Sequence, residues 1–459
     1  MVNGAAIIVA LAGAFLLVGP VLAGDKTDSS VAGRNAQRWI AGAYDCYKSA
    51  QEQEAIDCCN KALMINSKNV TAYALRARAR CWFGQYQKAL DDCNQAISLK
   101  PDSAIAYGSR GNVYGWMQQG AKAVADSRKA VELYTAPQSS MDFAMRSQAE
   151  IWLHQTKKSI EDATIAIQLD PKDGFAYMNR AVGYRDFRNY QKAIDDVSVA
   201  AKLRPSDQYG YYERSYSHGK LGRYANVVAD CTAAMMIDHH NAYPYVHRSW
   251  AHMMLSEYAQ AIDDCTAALK IDSDCADAYN NRGVSYEKLK QYNKAISDLS
   301  VAVTLDPKNM DAYYYRGVSY GELGQFKNDI DDCTKAIRID SNSSDDYSER
   351  GWAYFSNGEY DKAIADCSIA LRLDPRDSEA YANRGCAQLY CWHGKEAVAD
   401  TRKSLDIDPA WIQGYVNLAV AYLCFGTFDC QSTWVLCALL GLFFLQRLYR
   451  DFPRHGICG

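Results

Sequence analysis

Proline is scarce, with 10 in 459 residues, which excludes polyproline and collagen-like architectures. Histidine is scarcer still, at 8. No cysteine or histidine set has the spacing of a zinc site, because Cys58-Cys59, and Cys386 with Cys391, lack a second pair. No excess of positive charge exists either: Lys and Arg total 50 against 54 for Asp and Glu, a net charge of -4. Without a basic surface to displace counterions, a nucleic-acid partner is not expected. Missing too are a GxGxxG after a strand, a phosphate-binding loop, HExxH and GxSxG. With no set of acid, base and nucleophile, the expectation is a non-enzyme without cofactor or metal. A hydrophobic content of 49% excludes disorder.

What is abundant is tyrosine and cysteine, 33 and 16 residues, within phrases such as AYxxRG and AIxDC that recur along the chain. Aligned on them, copies begin at residues 36, 70, 104, 140, 174, 208, 242, 276, 310, 344 and 378. The step is 34 residues, apart from a two-residue insertion at Gln138-Ser139, and a partial copy begins at Ile412. Three copies thus occupy 36–137, eight occupy 140–411, and 412–459 holds the partial copy and an apolar capping helix. No gap remains for a separate catalytic domain.

Within a copy, position 4 is aromatic (Trp39, Tyr73, Tyr107) and position 8 small (Ala43, Ala77, Gly111). Apolar residues recur at 4, 8 and 11 and again at 17, 20, 24 and 27. That is the three-and-four spacing of two successive helices. Glycine near position 15 (Gly84, Gly222, Gly324, Gly358) marks the turn, and proline at 32 (Pro101, Pro171, Pro307) stops the second helix. Position 34 offers an N-cap acceptor to the next helix, as in Asn69, Ser103, Asp173 and Asn309.

These positions resemble the signature of the tetratricopeptide repeat family. The resemblance implies an all-α, right-handed superhelical solenoid of stacked antiparallel helix pairs, with a concave face that holds a peptide or partner protein. Co-chaperones of the family clamp a terminal carboxylate with a fixed Lys and Asn set. That set is missing here: Asn112 matches one position, but Gly108 and Met145 stand where Lys and Asn belong.

Position 7, usually Leu in the family, is Arg in ten copies, including Arg76, Arg180, Arg282, Arg316 and Arg350. The same ten carry Asp at position 23, including Asp92, Asp196, Asp298, Asp332 and Asp366. In an antiparallel hairpin turning near position 15 the two sit at matching height. They are expected to pair inside each copy as a structural ladder. Cysteines at position 24 (Cys59, Cys93, Cys231, Cys265, Cys333, Cys367) read as small core hydrophobes. His218 and His252 read as replacements for the usual Tyr at position 11.

The family's concave positions give the candidate groove directly. Asn179, Asn281, Asn383 and Asn417 stand at position 6, with amides suited to an extended backbone. Met178, Tyr212 and Tyr314 at position 5 and Trp250 and Trp352 at position 9 are the candidate anchors. Asp277 and Asp311 at position 2 suggest that the C-terminal half prefers a basic ligand.

The ends carry the remaining expectations. Residues 5–24 are uncharged and apolar, and residues 1–24 read as a signal peptide or an N-terminal anchor, followed by a linker over 25–35. Membrane association through 5–24 or through the apolar run 434–445 is a further expectation. An exported or envelope-associated location follows, although so many thiols fit an oxidising compartment poorly and keep a cytoplasmic one open. The expected function is a non-enzymatic scaffold for protein–protein interaction. The alternative is a regulatory or targeting subunit that delivers a separate enzyme or secretion machine to its substrate.

Overall fold

The computed structural model describes residues 31–410 and 412–425. The expectations for 1–24, for 25–30 and for 434–445 lie outside the described residues. Among the described residues there are 23 helices and no strand. None of these helices is long and apolar enough to cross a membrane. The first, Val31–Lys48, begins inside the segment expected to be a linker.

Each copy is a helix pair, for example Val70–Trp82 with Tyr86–Leu99, which places repeat positions 1–13 and 17–30 on its two helices. Side chains at position 34 accept the capping N–H bonds, Asn69 from Ala72 at 2.9 Å, Asp173 from Ala176 at 3.0 Å and Asn309 from Ala312 at 3.0 Å. Each such cap is worth about 1 kcal/mol. At the two-residue insertion Ser139 and Asp142 form a reciprocal capping box instead. Small residues at position 8 let the paired helices touch: a Cβ on Gly283 would meet the Leu299 side chain at 2.6 Å.

The turn at position 15 goes further than its glycines advertised. Gly84, Gly222, Gly324 and Gly358 have φ of 65 to 81°, and Ala50, Gln118, His154, Arg188, Ser256, Lys290 and Trp392 are left-handed too, at 54 to 62°. The requirement therefore belongs to the hairpin and is met at a steric cost of about 1 kcal/mol wherever a Cβ is present. Lys290→Gly is expected to raise the unfolding free energy by about 0.5–1 kcal/mol. Glu287→Gly, inside the helix Ala276–Lys288, should lower it by at least a similar amount. Paired thermal melts compare the two directly.

The described residues divide into two compact units at Ile237 and Asp238, in the turn that closes the copy beginning at 208. In the C-terminal unit the core is a series of local clusters, such as Val284, Leu299 and Val303 around Ala295, Ala302 and Ala312. The N-terminal unit adds contacts that a simple stack lacks. Tyr44 donates its hydroxyl to Asp173 at 2.6 Å, and Lys48 reaches Asp170 at 2.6 Å. Tyr47 packs edge-on against Phe175 with ring centres 5.2 Å apart. Arg204 Nη1 donates to the Tyr47 carbonyl at 2.7 Å, and Ser206 donates to the Ala50 carbonyl at 2.8 Å. The first helix and its turn are thus fastened to the turns before the fifth and sixth copies and to Phe175 at the start of the fifth.

Candidate functional site

The charged ladder is built from two helices of one copy and a third from the copy before. In the copies of Arg76, Arg180, Arg282, Arg316 and Arg350, Nε and Nη2 donate to the two oxygens of Asp92, Asp196, Asp298, Asp332 and Asp366 at 2.6 to 3.0 Å. This is the parallel fork that guanidinium and carboxylate geometry favours. The free arm, Nη1, crosses to position 25 of the preceding copy: Asn60, Thr164, Thr266, Ser300 and Thr334, at 2.7 to 3.4 Å. The aromatic ring at position 4 lies 5.3 to 5.6 Å from each of these guanidinium carbons, within cation–π range. One arginine thus sets register inside its copy and attaches that copy to its neighbour.

The second role was missed in the sequence, although its signal is there, because position 25 is Ser, Thr or Asn wherever this bond forms. At Arg128 the pattern breaks, and the following ladder residue, Arg146, donates instead to the Tyr134 carbonyl at 3.0 Å.

Beside that pair lies Glu150, 2% exposed, at a position usually held by Tyr. Burial, then the charge of Asp162, pushes its carboxyl up to about 8. A carboxyl that binds its proton more tightly folded than unfolded adds stability below about pH 4.5 and loses it as pH climbs through 8. Glu150→Gln should remove a fall on the order of 3 kcal/mol across that interval. Urea melts of both proteins from pH 4.5 to 8.5 measure the difference.

The groove candidates divide by environment. Asn179 donates to the Ala144 carbonyl at 2.8 Å, Asn281 to Ser249 Oγ at 3.1 Å, and Asn417 to Cys386 Sγ. All three are buried, so their amides join a copy to the one before it, where a free concave face had been expected. The reason is geometric: neighbouring first helices lie close enough for position 6 to reach the preceding position 5, 8 or 9. Met178 is buried as well. Tyr212 is half-buried beside Tyr209, and Trp250 stacks on His247 with ring centres 5.5 Å apart. Asp277 and Asp311 are exposed, and Asn383 is half-buried.

Tyr314, Trp352 and Asn383 gather in one region of the C-terminal unit. A cavity of about 560 Å³ there is lined by Trp352, Phe326, Phe355 and Asn383, together with Glu322, Glu349, Glu379 and Asp408. Phe326 meets Trp352 edge-on at 5.7 Å. The Tyr314 hydroxyl is pushed well up, first by burial and then by Glu349, Asp345 and Glu379. Among the described residues that line this cavity there is no Lys, Arg or His.

The six position-24 cysteines are all buried. Burial pushes the thiols of Cys59 and Cys265 up to about 12, so they fill space as hydrophobes. His252 Nδ1 lies 2.6 Å from Glu257. Among the described residues no group of three or more His, Cys, Asp or Glu could hold a metal ion.

The family model for the tetratricopeptide repeat matches residues 276–309 and 344–377, two full copies of the 34-residue unit. The chain carries tetratricopeptide repeats. No curated protein sequence matches it. Among solved structures, it is similar to YrrB, described as a TPR protein with an unusual peptide-binding site, at 23% identity over 40% of this chain and 95% of that one, with a TM-score of 0.36. A second is the APC/C hetero-tetramer Cut9-Hcn1, at 15% identity over 84% and 96%, with a TM-score of 0.46. A third is a tetratricopeptide repeat protein from Parabacteroides merdae ATCC 43184, at 17% identity over 54% and 98%, with a TM-score of 0.43. Repeats of this kind support, in general terms, a scaffold for interaction with other proteins.

Proposed function

We propose that the C-terminal unit of this scaffold binds an extended, basic segment of a partner protein, without catalysing a reaction on it. The observation that carries this reading is the cavity at Trp352, where four carboxylates and three aromatic rings line one concavity. An arginine or lysine of the ligand would place its charge between Glu349 and Glu379 and its stem on Trp352 and Phe355. Asn383 on the wall offers an amide to the ligand backbone.

The test uses fluorescence anisotropy of an Arg- and Lys-rich octapeptide and its Glu-substituted counterpart. The basic peptide should bind and weaken with added salt. The Glu349→Gln/Glu379→Gln variant should bind it roughly tenfold less tightly. Equal binding of both peptides would overturn the reading.

A further inference from the structure

The N-terminal unit holds a guanidinium unlike those of the ladder. Arg78 is only 3% exposed. Its Nε donates to Ser109 Oγ at 2.8 Å and its Nη1 to Gln148 Oε1, both neutral acceptors. Among the described residues no carboxylate oxygen comes within 4 Å of it, whereas the buried Arg204 has Asp207 at 2.7 Å and the ladder residue Arg76 has Asp92 at 2.7 Å. A buried cation held by neutral oxygens alone is costly, and the cost is recovered when an anion arrives.

Arg78 also lines a cavity of about 430 Å³ whose walls are mostly carbon: Trp82, Trp116, Trp152, Ile151 and Phe175. Trp82 and Trp116 stand edge to face at 6.1 Å. The Trp152 indole occupies the space where a Cβ on Gly115 would stand, so glycine is what admits this wall. The other charged groups on the lining are Glu52, Arg204 and Asp207. Two carboxyl groups there share one guanidinium, with Arg204 at 2.7 Å from Asp207 and 3.7 Å from Glu52. Among the described residues neither carboxyl group comes within 4 Å of Arg78, so its guanidinium lines an aromatic chamber without a close counter-charge.

We propose that this chamber is a binding site for a small organic acid, an apolar body of one or two rings bearing a single carboxylate that completes the Arg78 fork. The volume is that of small-molecule sites. The indoles supply stacking faces, and a lone guanidinium favours a monoanion over a doubly charged phosphate. The site is separate from the acidic cavity of the C-terminal unit and opposite to it in charge preference.

Isothermal titration of the full chain with indole-3-acetate and with the neutral indole-3-acetamide tests the proposal. The acid should bind at least about tenfold more tightly than the amide. Arg78→Met should abolish that preference without lowering the melting temperature, because it also removes a buried charge. Trp116→Ala, altering the most exposed of the three indoles, should weaken both ligands alike. If Arg78→Met does not fold, Arg78→Lys, which keeps the charge and loses the fork, should still narrow the difference. Equal affinity for acid and amide, no binding of either up to about 1 mM, or an unchanged preference in the folded Arg78 variants would overturn it.

Discussion

Arg350→Leu should lower the unfolding free energy by about 3 kcal/mol, because it leaves Asp366 buried without its cation. It also removes the bond to Thr334 and the contact with Tyr347. The neighbouring rung offers an internal comparison. Asp332, the partner of Arg316, has a second cation in Lys335 at 3.1 Å. Arg316→Leu should therefore cost less, by about 1 kcal/mol. Guanidinium melts of both variants, with Arg350→Leu/Asp366→Leu as a third, resolve the contributions. The double variant should recover most of the loss, since replacing both members of a pair costs far less than orphaning one. Equal losses at Arg316 and Arg350 would show that the carboxylates are hydrated rather than enclosed.

The second large effect is expected at Arg204, which is 4% exposed. It holds Asp207 and the Tyr47 carbonyl and lies 3.7 Å from Glu52. Arg204→Met strands two carboxyl groups at the seam that fastens the first helix, so a cost of about 3–5 kcal/mol is expected. Burial already pushes the Glu52 carboxyl up to about 7, so this side chain can take up a proton and soften the loss in mild acid. Hydrogen exchange should show the loss concentrated in Val31–Lys48 and its turn, while the helices of the C-terminal unit keep their protection. Uniform loosening of both units would contradict a local fastening.

Much of this architecture was legible in the sequence because a repeated pattern states each local requirement many times over. The helix pairs, the caps at Asn69, Asp173 and Asn309 and the Arg and Asp rungs all follow from side-chain chemistry at fixed spacing. The seam in the N-terminal unit is different, since Tyr44 and Asp173 are 129 residues apart and no periodicity relates them. Its traces are departures from the pattern: Glu52 where tyrosine is usual, and Arg204 where most copies place aspartate. The groove was read less well. Position 6 was assigned to a ligand from the chemistry of its amide, but the short distance between neighbouring first helices gives Asn179 and Asn281 a backbone or hydroxyl partner inside the protein. The carboxylates around Trp352 were only partly foreseen, because Glu322, Glu349 and Asp408 come from different repeat positions and converge through packing.

The bond between Tyr44 and Asp173 also bears on how the N-terminal unit reaches its native state. Arrays with contacts only between adjacent modules can nucleate anywhere and zip outward quickly. Joining ends separated by more than a hundred residues adds a chain-closure entropy that must be met before its contacts give anything back. Refolding of this unit should therefore show a late step in which an already helical array cyclises.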